Sequence, residues 1–288
     1  MKRWVVTGVV SCLLLATPAR AQEIEWKKEW PRFTPVEGVV TGTLTLGIAG
    51  GFFLLQQRKE AWSGGILFDD GVRDATRIQS RDTRDAWVLG GDLTYVGSVL
   101  YPFLDAALGS ALGNLSGDAM GQLLLIDSQA LSMAGFVAVW TQKLGGRERP
   151  LVRECGADPD YDKDCDDDIM RNQSFLSGHT AIAFTGAGLI CVSHSNLPLY
   201  GGGFPDALAC GVTLGAASFV GATRLIADRH YASDVLAGVL VGGTVGFLLP
   251  AWWHFGLFDA GKGPAKTTLA IAPMGSPDVL GLSLMGVN

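Results

Sequence analysis

Between positions 36 and 255 the chain alternates long uncharged runs with polar ones. Residues 38–55 carry no charge for 18 positions, just long enough to cross a bilayer. Residues 56–85 are polar and hold six Lys/Arg. The stretch 86–108 is apolar apart from Asp92 and Asp105, and 119–141 is apolar apart from Asp127. A charged segment follows at 143–173. Residues 180–193 are uncharged, Pro198 and Gly201-Gly202-Gly203 mark a turn, and 207–223 and 235–253 are uncharged for 17 and 19 residues. These runs are too long for strands and lack period-2 alternation, so they predict six helices. Their many Gly, Ala and Ser residues suit close helix–helix approach in a membrane. Trp252, Trp253 and His254 read as an interfacial belt at the end of the last one. The expectation is an all-α, membrane-embedded six-helix bundle over 36–255. Residues 22–35 are a polar lead-in, amphipathic or irregular. Residues 256–288 form a tail in which 268–274 and 279–285 pair as a short β-hairpin.

The first residues read as a secretory signal. Lys2 and Arg3 precede an apolar run, and Ala19-Arg20-Ala21 fits the small-x-small cleavage rule, with Gln22 as the mature start. Export makes disulfides available. Cys155 and Cys165 flank a short acidic loop and are the expected pair, whereas Cys191 and Cys210 lie in apolar runs and read as buried free thiols. Charged residues make up only 17% of the 288, which excludes disorder as a description of the whole chain. A net charge of −6 without a basic stripe argues against nucleic acid as a partner.

Three groups set ionisable residues against apolar helices. The first is Lys143 to Pro150, with Arg147 and Arg149; the second is Ser174 to His179; the third is Arg224 to Asp234, with His230. Two helices separate the second group from the third, so an up-and-down chain returns to the same end. The loop 142–177 joins the first group to the second without a crossing. All three therefore converge on one pocket holding several cations, two histidines and a helix N-terminus. Such a pocket suits an anion with several oxygens, because arginine offers planar forked donors and lysine a compact charge. Ser177 and Gly178 stand where a helix begins, and its free amides and dipole favour an anion. His230 and Asp234 are four apart, so in a helical turn the carboxylate accepts from one ring nitrogen and leaves the other as a nucleophile. His179 is available as a general acid. Arg147 reads as a supplementary phosphate ligand or a surface residue, and His194 and His254 as structural or surface residues. Asp92, Asp105 and Asp127 receive no role.

This constellation resembles the type 2 phosphatidic acid phosphatase and vanadium haloperoxidase superfamily. That family's pattern is Lys-x6-Arg-Pro, then Pro-Ser-Gly-His, then Ser-Arg-x5-His-x3-Asp. Arg224-x5-His230-x3-Asp234 matches in spacing with Thr223 in place of Ser, and Ser177-Gly178-His179 matches with Leu176 in place of Pro. Arg149-Pro150 matches, but five residues instead of six separate Lys143 from Arg149, and Gln142 holds the expected lysine position. The resemblance implies that Lys143, Arg149, Ser177, Gly178 and Arg224 bind phosphate. It implies that His230 attacks phosphorus, Asp234 orients His230, and His179 protonates the leaving alcohol, with no cofactor and no metal.

The expected function is hydrolysis of a phosphate ester or pyrophosphate. A lipid substrate (phosphatidate, an isoprenyl pyrophosphate or lipid A phosphate) is favoured over a small phosphomonoester. The expected place is the envelope of a bacterial-type cell, in the inner membrane with the site facing the periplasm, or else as a soluble periplasmic bundle. One alternative is a haloperoxidase holding vanadate at His230. Another is a non-catalytic envelope protein with a calcium-binding loop at 158–168. In that loop acids stand at every second position, but Lys163 replaces the glycine and Ile169 the final glutamate of an EF-hand.

Overall fold

The computed structural model describes residues 23–59, 61–111, 115–257, 268–276 and 279–287. The expected signal, 1–21, lies outside the described residues. The helices are α1 (Pro35–Phe53), α2 (Asp69–Thr76), α3 (Arg81–Ala111), α4 (Gly117–Gly145), α5 (Val152–Cys155), α6 (Gly178–Asn196), α7 (Phe204–Ile226), α8 (Ala232–Gly243) and α9 (Leu249–Trp253). A π-helical turn, Thr244–Leu248, joins α8 to α9. Six long rods (α1, α3, α4, α6, α7 and α8 continued into α9) fall on the six uncharged or nearly uncharged runs. The helix count departs from six because the short elements α2 and α5 are too brief and too charged to leave an apolar run.

Local chemistry sets several boundaries. Thr34 and Glu37 close a capping box at α1, with Pro35 in the first turn. Ser116 caps α4 through the Ala119 amide at 3.1 Å. Gly146 ends α4 in the left-handed region at φ 58°, which a side chain would strain. That turn sends the chain into 147–150 and so fixes where the first cationic group lies.

The long helix α6 is the axis of the bundle, packed by α3, α4, α7 and α8. Small residues permit this. A Cβ at Gly242 would stand 2.4 Å from the Ala181 carbonyl oxygen, one at Gly246 2.2 Å from that of Thr185, and one at Gly186 2.1 Å from that of Ser98. The lead-in is more ordered than its polarity suggests. Trp26 and Trp30 are buried against Phe255, with ring centroids 5.0–5.4 Å apart. The described part of the tail pairs Thr268–Ser276 with Val279–Val287 as an antiparallel ladder, from Thr268 opposite Val287 to Ser276 opposite Val279.

Among the described residues, four rods are long and apolar enough to cross a membrane: Pro35–Phe53, Gly117–Gly145, Phe204–Ile226 and Ala232–Trp253. Val39, Leu46 and Phe53 of α1 and Leu208 and Val212 of α7 point outward, an apolar surface that water would not favour.

At the far end of α6, His194 is buried between two carboxylates, with Nδ1 2.6 Å from Asp206 and Nε2 3.2 Å from Asp105. Tyr200 donates its hydroxyl to Asp105. His194 and Asp105 are therefore structural, as is His254, buried 3.4 Å from Glu37. The thiols near that end correct the sequence reading. Cys191 and Cys210 form a disulfide, because α6 and α7 run antiparallel and bring their Cα atoms to 4.5 Å. The expected Cys155–Cys165 disulfide is also formed.

Candidate active site

The three ionisable groups meet at one end of the bundle. His230 lies in the turn between α7 and α8, which is fixed from several sides. The Asp228 carboxylate there accepts from Arg73 at 2.6 and 2.7 Å and from the Tyr161 hydroxyl at 3.1 Å. The Arg229 and His230 amides fold back on the Arg224 carbonyl at 3.0 and 3.3 Å.

His230 is buried, and its Nδ1 lies 2.7 Å from the carbonyl oxygen of Ser174. A carbonyl only accepts, so Nδ1 carries the proton. Nε2 is then left with its lone pair and, among the described residues, without a partner. Asp234 is not the direct orienting group expected from its spacing, since its Oδ2 stands 4.0 Å from Nδ1. It accepts instead from the Ser174 hydroxyl at 2.6 Å and the Tyr231 amide at 2.9 Å, and its backbone carbonyl accepts from the Ser177 amide at 3.1 Å. Asp234 thus places the segment whose carbonyl holds His230. Ser174 is a member of the candidate site that no motif marks, because it contributes a backbone atom.

Burial and the neighbouring charges of Arg149, His179 and Arg224 push the His230 imidazole well below its ordinary range. The depressed value keeps His230 neutral until the pH falls through that lower value. Protonation of the His230 ring is therefore expected only below about pH 6.5. An NMR titration of the ring, compared with that in His179→Asn, checks this.

Arg149 is buried and donates to Asp164 at 3.2 Å. Burial and the adjacent Arg229 lower its guanidinium to about 10, still charged at neutral pH. Arg224 crosses to α3, where Nη2 stands 3.0 Å from Asp92, and the absence of a side chain at Gly91 leaves room for it. Asp92 also lies 3.4 Å from Nε2 of the half-buried His179, whose ring packs on Tyr95 at 4.6 Å. Asp92 therefore lies with this group, although nothing along the chain separates it from Asp105 and Asp127. Ser177 precedes α6 with its hydroxyl turned to Thr180 at 2.8 Å, so no side chain caps the first amides of that helix.

Two expected residues stand differently. Lys143 is buried at the end of α4, and among the described residues its ammonium forms no ion pair. Gln142 touches the site, donating to the Leu176 carbonyl at 2.9 Å, and a Cβ at Gly178 would lie 3.2 Å from it. Arg147 is neither a surface residue nor free to bind an anion. It is fully buried, bonded to Asp69, Asp234, Ser233 and the Gly64 carbonyl, and sandwiched by the rings of Trp62 and Tyr231 at 4.1 and 4.2 Å.

The acidic loop turns inward. Asp162 and Asp164 are buried, Asp164 between Arg149 and Arg229 and Asp162 3.0 Å from Arg229. Guanidinium groups thus occupy two of the carboxylates on which a calcium loop would depend.

Along the chain the order is Arg149, the free amides at the start of α6 with His179, then Arg224 and His230. Residues 128–256 match the PAP2 superfamily. The matched stretch holds Arg149, the start of α6, Arg224, His230 and Asp234, so the resemblance read from the motifs holds. The chain is also similar to "Lipid A 1-phosphatase" of Porphyromonas gingivalis, 33% identical over 128 residues. That alignment covers 44% of this chain and 23% of the relative, so the similarity spans about a quarter of that protein's length. No solved structure matches the chain.

Proposed function

We propose that this protein is a phosphatase of the bacterial cell envelope that removes phosphate from a membrane lipid through a phosphohistidine. The observation that carries this reading is the Nδ1–H of His230 held by the Ser174 carbonyl, with Nε2 bare beside Arg149 and Arg224. Nε2 gives its lone pair to phosphorus as the P–O bond to the alcohol breaks, and protonated His179 passes its proton to the departing oxygen. Water then gives a proton to His179 and attacks phosphorus, the N–P bond breaks, and phosphate leaves. Arg149, Arg224 and the amides at the start of α6 stabilise the equatorial oxygens, so the cycle runs without a metal.

Three features support a lipid substrate: the four apolar rods, the similarity to a lipid A phosphatase, and a cavity of about 270 Å³ between α3, α6 and α7. Thr94, Gly97, Ser98, Gly186, Val212 and Ala216 line it. It is lined by the same three helices that carry Asp92, His179 and Arg224, so a hydrocarbon chain lying in it would run along them away from a phosphate held at His230. The disulfide beside the site supports a periplasm-facing pocket, consistent with the export signal read at 1–21.

The test is phosphate release in detergent with EDTA, from phosphatidate, an isoprenyl pyrophosphate, lipid A and a soluble phosphomonoester. Release from a lipid, with an acid-labile, alkali-stable phosphoryl label on the protein, supports the reading. An intact, folded protein that releases nothing from the panel sinks it.

A further inference from the structure

Arginine carries five N–H donors, and the number already engaged separates framework arginines from those that await a ligand. Arg147 makes four hydrogen bonds, and Arg73 and Arg84 three each. These three are framework residues. Arg149 and Arg229 make one side-chain hydrogen bond each, both to the same oxygen, Oδ2 of Asp164. The two guanidiniums lie side by side and buried; an unmet Nε–H is common to them and to Arg84 and Arg147, but among these four Arg229 alone leaves a second donor, Nη2, without a hydrogen bond, although it stands 3.0 Å from Asp162. Unmet buried donors on a charged group are costly, so a pair of them marks a place where an acceptor belongs.

Arg149 is the arginine that the Arg-Pro motif assigns to phosphate. The donor count selects it independently and selects Arg229 with it. Arg229 directly precedes His230, its amide is bonded to the Arg224 carbonyl, and its charge is felt by both Arg149 and Arg224. We propose that Arg229 is a further phosphate-binding residue, paired with Arg149 across the carboxylate of Asp164. The acidic loop then has a defined role. The disulfide at Cys165 fixes Asp164, the preceding residue, between two like charges that would otherwise repel. This inference rests on the phosphatase reading above.

The test measures inorganic phosphate against the full-length protein in detergent, both as a competitive inhibitor and by its shift of the thermal unfolding midpoint. The second readout needs no turnover. Arg229→Gln is expected to raise the dissociation constant for phosphate about 10- to 100-fold, the range for hydrogen bonds to a charged group. Arg229→Lys keeps a charge beside Asp164 but loses the fork, and is expected to raise it about 10-fold. If Arg229→Gln fails to fold, the lysine variant decides. Wild-type affinity in the folded variants overturns the proposal and leaves the phosphatase reading standing. A wild type that neither binds phosphate nor releases it sinks that reading first, and this inference with it.

Discussion

Replacing His230 by alanine is expected to lower phosphate release by about 10⁴-fold or more, the scale seen when a nucleophile is deleted. The size follows from the lack of a substitute. Ser174 gives its hydroxyl to Asp234, Ser177 shares its own with Thr180, and the Tyr231 ring lies under the Arg147 guanidinium. The two serine hydroxyls are thus engaged in holding the site together. Without Nε2, only direct attack by water remains, assisted by the arginines and the α6 amides. Those groups are untouched by the substitution, so the His230→Ala protein should still bind inorganic phosphate. It should also carry no phosphoryl label after incubation with substrate. His179→Ala is expected to lose less, about 10²- to 10⁴-fold, because it removes proton transfer and leaves the bond-forming atom in place. A His230→Ala rate within tenfold of wild type, in protein that is folded and binds phosphate, would exclude His230 as the nucleophile.

The positions of the chemistry were largely legible along the chain, and its partners were not. Uncharged runs locate the long rods because helices facing lipid and one another leave no polar side to disguise them. Convergence of the three ionisable groups follows from counting crossings. What stayed hidden depends on contacts distant in sequence. Arg147 meets Asp69 and Asp234 across 78 and 87 residues, and Asp69 sits in α2, whose charged sequence looks like a connecting loop. The Ser174 carbonyl carries no side-chain signature at all. The four-residue spacing of His230 and Asp234 suggested a direct bond, but α8 begins only at Ala232, so His230 lies outside the helix that the spacing argument assumes. Cys191–Cys210 was within reach of topology. Cys191 lies five residues before the end of α6 and Cys210 six after the start of α7, so an antiparallel pair sets them at one level. The apolar character of both segments argued for free thiols and concealed it.

Arg147→Met is expected to be the most damaging substitution for the fold near the site. Its guanidinium lies fully buried between Asp69 and Asp234, with the carboxylates of both also fully buried. Removing one partner of a buried pair leaves an uncompensated charge and costs about 3–5 kcal/mol. Here it strands two carboxylates at once, and the upper end of that range is expected. The damage also reaches the chemistry. Asp234 holds Ser174, and the Ser174 carbonyl holds His230, so an Asp234 released from Arg147 loosens the nucleophile. The expected result is a large fall in the thermal midpoint in detergent, together with a fall in kcat. None of the bonded donors of Arg147 faces the arginine cluster, so the fraction that remains folded should bind inorganic phosphate nearly as wild type does, unlike Arg229→Gln. Adding Asp69→Asn to Arg147→Met removes one stranded charge and is expected to recover part of the lost stability, a coupling that a double-mutant cycle measures directly. An Arg147→Met protein with an unchanged midpoint would show that Asp234 is held without it. The line from Arg147 through Asp234 and Ser174 to His230 would then have to start at Tyr231 and the beginning of α8.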